Sequence, residues 1–359
     1  MTKVRYTITI HIARTNTLRL NKNIKYKGQP ATAIDDSVQF LTQKIIFGGV
    51  RNSKRLSLDD ICEYKQSTLY SQLLKSLLYL YLGNGHRVNI HSIKVSTPTI
   101  TETRPIEKKY QPLANDFHLS KAIPNDVLLN LFDETPKGDF LRRVSTHYLK
   151  AITSKDRYFK FERLWRAFEQ LAYWHLYHDH LPKKPNETEA MREMRAFICT
   201  NPPCIQDTLS IVNKLGSRQI SKLHWKRMIE SNYPYSGDVA QLNLMINNLI
   251  NSNRDIRLSR VFRKAIDLRR TGLSHHGLLA AVDTTVYGYF TTRVRNNIHV
   301  LSLILCKYCY FMRNKMFHGE EADFTFCFTN HTEDDDITDF VNRILESMVL
   351  DLICGFNTL

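Results

Sequence analysis

The stretch "RYFKFERLWRAFEQLAYWHLYHDHL", residues 157–181, decides the fold class of this chain. Its apolar side chains recur every three or four residues and so share one face of a helix: Phe161, Leu164, Trp165, Phe168, Leu171 and Ala172. A stripe of this width is typical of an amphipathic helix that packs against other helices. The segment therefore predicts a long helix with one buried face.

The same helical spacing dominates the chain from residue 139 onward. Further amphipathic patterns cover residues 139–152, 187–198, 204–216, 259–272 and 340–353. Asp334 to Asp336 precede the last of these segments, and negative charge suits the positive start of a helix. We therefore expect a mainly α protein whose C-terminal domain, residues 138–359, is a helical bundle.

The first 97 residues show a different pattern. Apolar and polar residues alternate from Val4 to His11 and again over residues 87–96, as they do in half-buried strands. Between them, residues 67–83 repeat leucine at helical spacing, and Gly83 is expected to end that helix. Residues 1–97 are thus predicted to form a small α+β accessory domain.

Residues 98–137 have weak periodicity and contain prolines throughout: Pro98, Pro105, Pro112, Pro124 and Pro136. Such composition favours a connector, with one short helix over residues 125–132. The predicted organisation is therefore an α+β domain, a Pro-containing connector and a helical bundle.

The charge of the chain favours an anionic partner. Its 359 residues carry a formal net charge of +15, and the excess is uneven, because residues 301–359 hold four Lys/Arg against ten Asp/Glu. A basic surface of this kind suits nucleic acid first and an acidic membrane surface second.

Composition also excludes several classes of protein. The seven cysteines are odd in number and irregularly spaced, unlike a secreted disulfide framework. The N-terminal stretch alternates like a strand and lacks the apolar run of a signal peptide. No apolar run is long enough to cross a membrane. We therefore expect a cytoplasmic protein that does not insert into membranes.

The stretch "FMRNKMFHGEEAD", residues 311–323, places polar groups at the end of an apolar helix. Asn314 and His318 are four residues apart and share a face, whereas Arg313 and His318 lie about 140° apart around the axis. Gly319 follows and is expected to end the helix. One interpretation is a basic helix end that meets solvent; the other is a catalytic site.

These groups suit cleavage of RNA, whose own 2′-OH can attack the neighbouring phosphodiester. Histidine transfers protons near neutral pH, and arginine offers a planar, permanent cation for phosphate oxygens. This chemistry needs no metal, and the sequence contains no metal-ligand motif beside the site. No cofactor is therefore expected.

The pattern "RNKMFHG" resembles the R-x4–6-H signature of HEPN (higher eukaryotes and prokaryotes nucleotide-binding) ribonucleases, including the polar residue after the arginine and the glycine after the histidine. "FERLWRAFEQLAYW", residues 161–174, resembles the aromatic-rich early helix of many prokaryotic HEPN domains. The order of elements also agrees. The resemblance covers residues 138–359, and the N-terminal domain takes no part in it.

The resemblance implies a HEPN-like helical bundle that forms a homodimer, with two copies of the motif in one cleft. It implies a metal-independent endoribonuclease that acts as a toxin, in antiphage defence or in RNA processing. Arg313 would bind the scissile phosphate, His318 would transfer or orient protons, Asn314 would position one of them, and Glu169 would support the site. Arg313 of one protomer could work with His318 of the other.

One residue departs from a subgroup of the family. HEPN toxins paired with nucleotidyltransferase antitoxins often extend the motif to R-x4-H-x-x-Y, and Glu321 stands at the tyrosine position here. Nucleotidylation of a tyrosine at that position is therefore excluded. An antitoxin or trigger protein of another kind remains an expected partner beside RNA. The competing hypothesis is a non-catalytic HEPN-like scaffold or sensor that binds RNA or a partner protein.

The densest basic segment of the chain carries six cationic residues: Arg257, Arg260, Arg263, Lys264, Arg269 and Arg270. They form either the solvated face of an amphipathic helix or a track for RNA phosphates. A second near-match to the motif, Arg293 to His299, predicts a solvated basic turn or a contact to RNA backbone. Cys306 and Cys309, within an apolar helix, are expected to pack as small hydrophobic residues rather than bind zinc.

Overall fold

The computed structural model describes residues 3–13, 16–31, 33–52, 57–59, 67–179, 186–200, 202–232, 239–317 and 333–359. The chain divides into two compact units, of which the first comprises Met1–Asp156 with Ile353–Leu359 and the second Arg157–Leu352. The protein is mainly α, as predicted. This division does not test the domain boundaries predicted at residues 97 and 137, which stay a prediction.

The first unit contains a six-stranded sheet in which every neighbouring pair is antiparallel. Its strands are β1 (Val4–Ile12), β2 (Leu20–Ile24), β3 (Asp36–Phe40), β4 (Lys44–Arg51), β5 (Ile90–Ser96) and β6 (Thr101–Pro105). The strand order is β2-β3-β4-β1-β5-β6. β1 and β5 were predicted. The predicted connector is wrong in one respect, because β6 lies within it and pairs with β5.

The described residues of this unit include the helices α1 (Thr68–Asn84), α2 (Asn125–Leu129) and α3 (Pro136–Ile152). The side chain of Ser67 caps the start of α1 by accepting from the Leu69 N–H. Gly85, with φ of 68°, ends α1 in the left-handed region that glycine adopts without strain. The sequence placed this end at Gly83, which instead lies inside the helix.

A buried ion pair joins two strands of the sheet and α1. The Arg51 guanidinium donates to both oxygens of Asp36, over 2.7 and 2.5 Å, and stacks 3.8 Å from the centre of the Tyr26 ring. Gln72 of α1 donates to the same carboxylate over 2.9 Å. Burial raises the pKa of Tyr6, whose ring lies beside this pair. The pair therefore fixes α1 against the sheet through charge-assisted hydrogen bonds.

The second unit is built from helices. Their bounds are α4 (Arg157–Asp179), α5 (Glu187–Cys199), α6 (Gln206–Asn213), α7 (Ser217–Ser221), α8 (Trp225–Asn232), α9 (Val239–Asn251), α10 (Ser259–His275), α11 (Leu279–Thr292), α12 (Asn297–Leu303), α13 (Tyr310–Phe317) and α14 (Glu333–Cys354). The predicted stripe on α4 is buried, since each of its side chains is at most 1% exposed. The periodicity thus identified the core face correctly.

The central helix of this unit runs through residues 297–317 with a change of pitch. A π-helical segment, Ile304–Cys309, joins α12 to α13. Most side chains from Val300 to Met312 are buried in the core. Such π segments widen the helix by one residue per turn and are frequent at functional sites. No helix among the described residues is long and apolar enough to cross a membrane.

Candidate functional site

Arg313 and Asn314 lie on α13, directly after the apolar part of the central helix. Both side chains are half-buried, and the Arg313 Nη1 donates to the Asn314 Oδ1 over 2.9 Å. The two residues that the sequence assigned to one site are therefore in direct contact. His318 and Gly319, which complete the predicted motif, lie outside the described residues.

An acidic residue that the sequence did not single out contacts the arginine. The Oε2 of Glu187 lies 3.3 Å from the Nη1 of Arg313, and both side chains are less than a quarter exposed. Glu187 is the first residue of α5, where the helix dipole favours a carboxylate. Its Oε1 is buried. A hydrogen bond between the Glu187 side chain and the Glu169 carboxyl group links α5 to α4 at this point.

Glu169 of α4, which the sequence assigned as a supporting residue, completes the group. Burial, followed by the neighbouring Glu187 carboxylate, raises the pKa of Glu169, although the Arg313 guanidinium acts in the opposite direction. Two close carboxyl groups cannot both ionise without a cost, so one of them retains its proton to higher pH. Glu169 therefore holds a proton at pH values where an ordinary glutamate has lost it.

Tyr173 lies one turn after Glu169 on the same face of α4. Burial and the charges of Glu169 and Glu187 raise the pKa of Tyr173 to about 12. Its hydroxyl thus stays protonated at neutral pH and can donate a hydrogen bond. No sequence signal identified Tyr173 or Glu187, because their role depends on helices that the sequence does not place.

The arrangement joins three helices around one guanidinium. We call Glu169, Tyr173, Glu187, Arg313 and Asn314 the acid–arginine cluster. It contains a fixed cation, a carboxyl group with a raised pKa and a phenol, all partly screened from water. Titratable groups with shifted pKa values and a specific charge partner mark candidate functional sites. The cluster can bind an anion through Arg313 and supply a proton through Glu169.

The predicted RNA-binding residues divide into two kinds. Arg257 is 3% exposed and donates to both oxygens of the buried Asp255, over 2.9 and 2.7 Å. It also donates to the Val212 carbonyl and to Asn297. This guanidinium is satisfied inside the protein and cannot reach a phosphate, so its predicted RNA-binding role is wrong.

The other basic residues of this segment lie on α10. Arg260, Arg263, Lys264 and Arg270 are exposed, and Arg269 is half-buried. The first three line a cavity of about 290 Å³ together with Trp225 and Asp267, and Arg263 stacks 4.6 Å from the centre of the Phe290 ring. An exposed basic face with aromatic neighbours is compatible with RNA binding and with a solvated helix face. Both interpretations of these residues, a track for RNA phosphates and a solvated helix face, therefore stay predictions.

The two cysteines of the central helix are packing residues. Cys306 and Cys309 are 4% and 0% exposed, and burial raises the pKa of Cys306 to about 12 and that of Cys309 well above its usual range. A buried thiol with a raised pKa is a poor nucleophile and a poor metal ligand. No group of three or more metal-binding side chains occurs within the described ranges.

The acidic run at the start of α14 contacts neighbouring elements. Glu333 and Asp334 to Asp336 lie in the first turn of α14. The Asp334 Oδ1 lies 2.5 Å from the His224 Nε2, and the Asp335 Oδ1 lies 2.8 Å from the Arg157 Nη1. These contacts, together with the favourable position at a helix start, account for the run in structural terms.

Comparisons with protein-family models, with curated proteins and with solved structures found no match to this chain. The acid–arginine cluster therefore has to be interpreted from its own chemistry. The first unit contains a cavity of about 830 Å³ lined mainly by leucine, isoleucine and tyrosine side chains, of which the largest group lies on α1. That cavity lacks the combination of shifted acids and a partnered cation that distinguishes the cluster.

Proposed function

We propose that the protein is a metal-independent endoribonuclease of HEPN type, with the acid–arginine cluster as part of its active site. The observation that carries the proposal is the contact of Arg313 with Glu187 beside Glu169, whose pKa is raised. Near a scissile phosphate, a guanidinium can stabilise the developing charge, and a carboxyl group with a raised pKa can act as a general acid. The basic balance of the chain favours RNA as the partner.

In this mechanism the RNA 2′-OH attacks the adjacent phosphorus and the bond to the 5′-oxygen breaks, which leaves a 2′,3′-cyclic phosphate. Arg313 stabilises the charge that develops on the phosphorane oxygens, and Asn314 holds its guanidinium in position. Glu169 donates its proton to the leaving 5′-oxygen. His318 removes the proton from the 2′-OH, in keeping with the resemblance of its motif.

We further propose that two copies of the chain form a dimer in which Arg313 of one protomer works with His318 of the other. The C-terminal helices form a HEPN-like bundle, and the protein acts in the cytoplasm as a toxin or antiphage-defence effector. An antitoxin or trigger protein controls it.

One observation favours a second candidate function. Arg313 already contacts both Glu187 and Asn314, and a structural ion pair produces the same shifts in pKa as a catalytic one. A non-catalytic HEPN-like scaffold that binds RNA or a partner protein fits that arrangement. Such a protein would retain RNA without cutting it.

The test maps the ends of RNA products after incubation with purified protein. We expect cleavage with 2′,3′-cyclic phosphate ends that persists in the presence of a chelator. Arg313→Ala and His318→Ala should abolish it while the circular dichroism spectrum and the dimer are unchanged, and the exposed His91→Ala serves as the control. Cleavage that survives both substitutions with the same ends would refute the proposal, and RNA binding without cleavage by the wild type would favour the scaffold.

The shared site is tested by mixing the two inactive variants. In a heterodimer of Arg313→Ala with His318→Ala, one cleft contains an intact arginine and an intact histidine if the two residues act across the interface. We therefore expect the mixture to recover activity. A mixture that forms heterodimers and stays inactive would show that each protomer needs both residues, which contradicts the composite site.

A further inference from the structure

A second group of cationic side chains gathers around α5 and the central helix of the same unit. We call Arg195, Arg254, His299 and Lys307 the basic cluster. Arg195 lies on α5, Arg254 follows α9, His299 lies on α12 and Lys307 lies in the π-helical segment. The helices α5 and α12 pack together, and α5 also contacts the π-helical segment. Four cationic or titratable groups from four segments therefore converge.

The charges of the basic cluster have no anionic partner inside the described part of the chain. The Arg195 Nη2 donates to the Ser252 carbonyl over 3.0 Å and lies 3.5 Å from the Asn253 Oδ1, both of which are neutral. The half-buried Lys307 makes neither a hydrogen bond nor an ion pair with any described residue. Basic residues elsewhere in the unit, such as Arg157 and Arg257, are paired with aspartates.

The Asp255 carboxylate, whose charge acts on His299, is already paired with another cation. Asp255 is fully buried, and its oxygens accept from the Arg257 guanidinium and from the Asn296 N–H. The pKa of Lys307 is lowered by burial and by the charge of Arg195. Burial and the charges of Arg195 and Arg254 also lower the pKa of His299. Crowded cations without an anion are destabilised, and a bound anion would remove that cost.

The hydrogen bonding of His299 adds a donor to the cluster. Its Nδ1 accepts from the Arg254 N–H over 2.9 Å, so the proton of the neutral ring resides on Nε2. The cluster therefore combines a guanidinium, an ammonium and an imidazole N–H. Donors of these three kinds suit the tetrahedral oxygens of a phosphate group.

We propose that the basic cluster binds a backbone phosphate of the RNA substrate, a few nucleotides from the scissile phosphate. This inference rests on the proposed function of the acid–arginine cluster. It assigns Arg195 and Lys307 as phosphate-binding residues and His299 as a hydrogen-bond donor to the same phosphate.

The distance between the basic cluster and the acid–arginine cluster follows from the two helices that carry residues of both. Glu187 and Arg195 both lie on α5, eight residues apart, which is about 12 Å along a helix at a rise of about 1.5 Å per residue. Arg313 and Lys307 both lie on the central helix. On this helix the residue of the basic cluster comes first along the chain, whereas on α5 the residue of the acid–arginine cluster comes first. The two helices therefore run antiparallel and carry both clusters. Successive phosphates of one strand are about 3.4 Å apart along a duplex axis, so a few nucleotides span this distance.

The test measures the binding of an oligonucleotide that cannot be cut. A single strand with 2′-deoxyribose lacks the nucleophile, so its affinity reports binding alone. We expect the double variant Arg195→Gln with Lys307→Gln to bind roughly tenfold more weakly, and the slope of log K against log salt to fall by about 0.7 for each phosphate that the protein no longer neutralises. Arg192→Gln is the matched control, because Arg192 is exposed on the same helix and pairs with Glu193. Equal affinity and equal slope for the double variant, with an unchanged melting temperature, would overturn the inference.

A second readout is local and does not depend on cleavage. Because the pKa of Lys307 is lowered, its amine should be acetylated readily, and mass spectrometry can follow that reaction. We expect the oligonucleotide to protect Lys307 at concentrations where inorganic phosphate does not. Protection by inorganic phosphate alone would identify a small-anion site and overturn the RNA assignment.

Different outcomes of these experiments reject the nuclease activity and the phosphate site. Protection of Lys307 by the oligonucleotide with no cleavage of RNA by the wild type would support the phosphate site and reject the nuclease. Cleavage by the wild type that is equally efficient in the double variant, at substrate concentrations below saturation, would support the nuclease and reject the phosphate site.

Discussion

The Arg313 guanidinium and the Glu187 carboxylate form an ion pair, with Nη1 3.3 Å from Oε2, between the last helix before residue 318 and the first residue of α5. This ion pair has two consequences. It places the cation of the predicted motif among acidic side chains, and it sets a second negative charge beside Glu169. The titration of Glu169 should therefore depend on Glu187.

Replacement of Glu187 by glutamine should lower the pKa of Glu169. The substitution removes the neighbouring negative charge that raises this pKa, and Arg313 then acts on Glu169 alone. Carbon-13 NMR titration of the glutamate carboxyl groups measures the change. Glu193→Gln, on the same helix and paired with Arg192, should have no effect. An unchanged titration of Glu169 in the Glu187 variant would contradict the proximity of the two carboxyl groups.

The substitution Glu169→Gln should change how the stability of the protein depends on pH. The pKa of Glu169 is higher in the folded protein than its ordinary value of 4.5, so the folded state binds more protons above that pH. Stability contributed by this group is therefore lost as pH rises through its folded pKa. Glutamine does not titrate, so the variant should gain stability relative to the wild type from about pH 4 upward. Urea unfolding at several pH values measures the difference, and a difference that falls with rising pH would refute the assignment.

Loss of Asp36 should destabilise the first unit strongly. Asp36→Ala leaves the buried Arg51 without its partner and removes the hydrogen bond from Gln72. Breaking a buried pair in this way costs about 3–5 kcal/mol. Chemical unfolding measures the loss. The half-buried Asp35→Ala serves as the neighbouring control and should cost less than about 1 kcal/mol; equal effects of the two changes would contradict the role of the pair.

The basic residues near α10 should separate into structural and RNA-binding groups. Arg257→Ala leaves the buried Asp255 without its cationic partner and should lower the free energy of unfolding by about 3–5 kcal/mol. Replacement of Arg260, Arg263 and Lys264 by glutamine should leave the melting temperature nearly unchanged and weaken RNA binding in a salt-dependent way. If the triple variant binds RNA as the wild type does, this face is a solvated helix surface only.

Thiol labelling should distinguish the cysteines of the second unit. Cys199 is exposed and should react with iodoacetamide near neutral pH, whereas Cys306, whose pKa is raised by burial to about 12, should react only after unfolding. Mass spectrometry of labelled peptides measures both sites. Rapid labelling of Cys306 in the native protein would contradict its packing role.

The sequence predicted the helices well where one face is buried along its whole length. The stripe of α4 is an example, because each residue obeys the same spacing and the pattern survives in any partner arrangement. It failed for β2, β3 and β4, because β2 and β3 have only five residues each and β4 contains two glycines, so none of them shows a long alternating pattern. β6 was missed for the same reason, since an edge strand of mostly polar residues carries no hydrophobic alternation.

The sequence alone predicted that this chain is mainly helical, that Arg313 and Asn314 lie together and that Glu169 belongs near them, because the first two features depend on local spacing and the third on the resemblance of a motif. Only the tertiary structure decided that Glu187 and Tyr173 join them, that Arg257 is buried on Asp255, and that Arg195 and Lys307 stand together without an anion among the described residues. The physical reason is that burial and the distance between charges arise when remote helices pack, and both shift pKa values in ways that residue order does not encode.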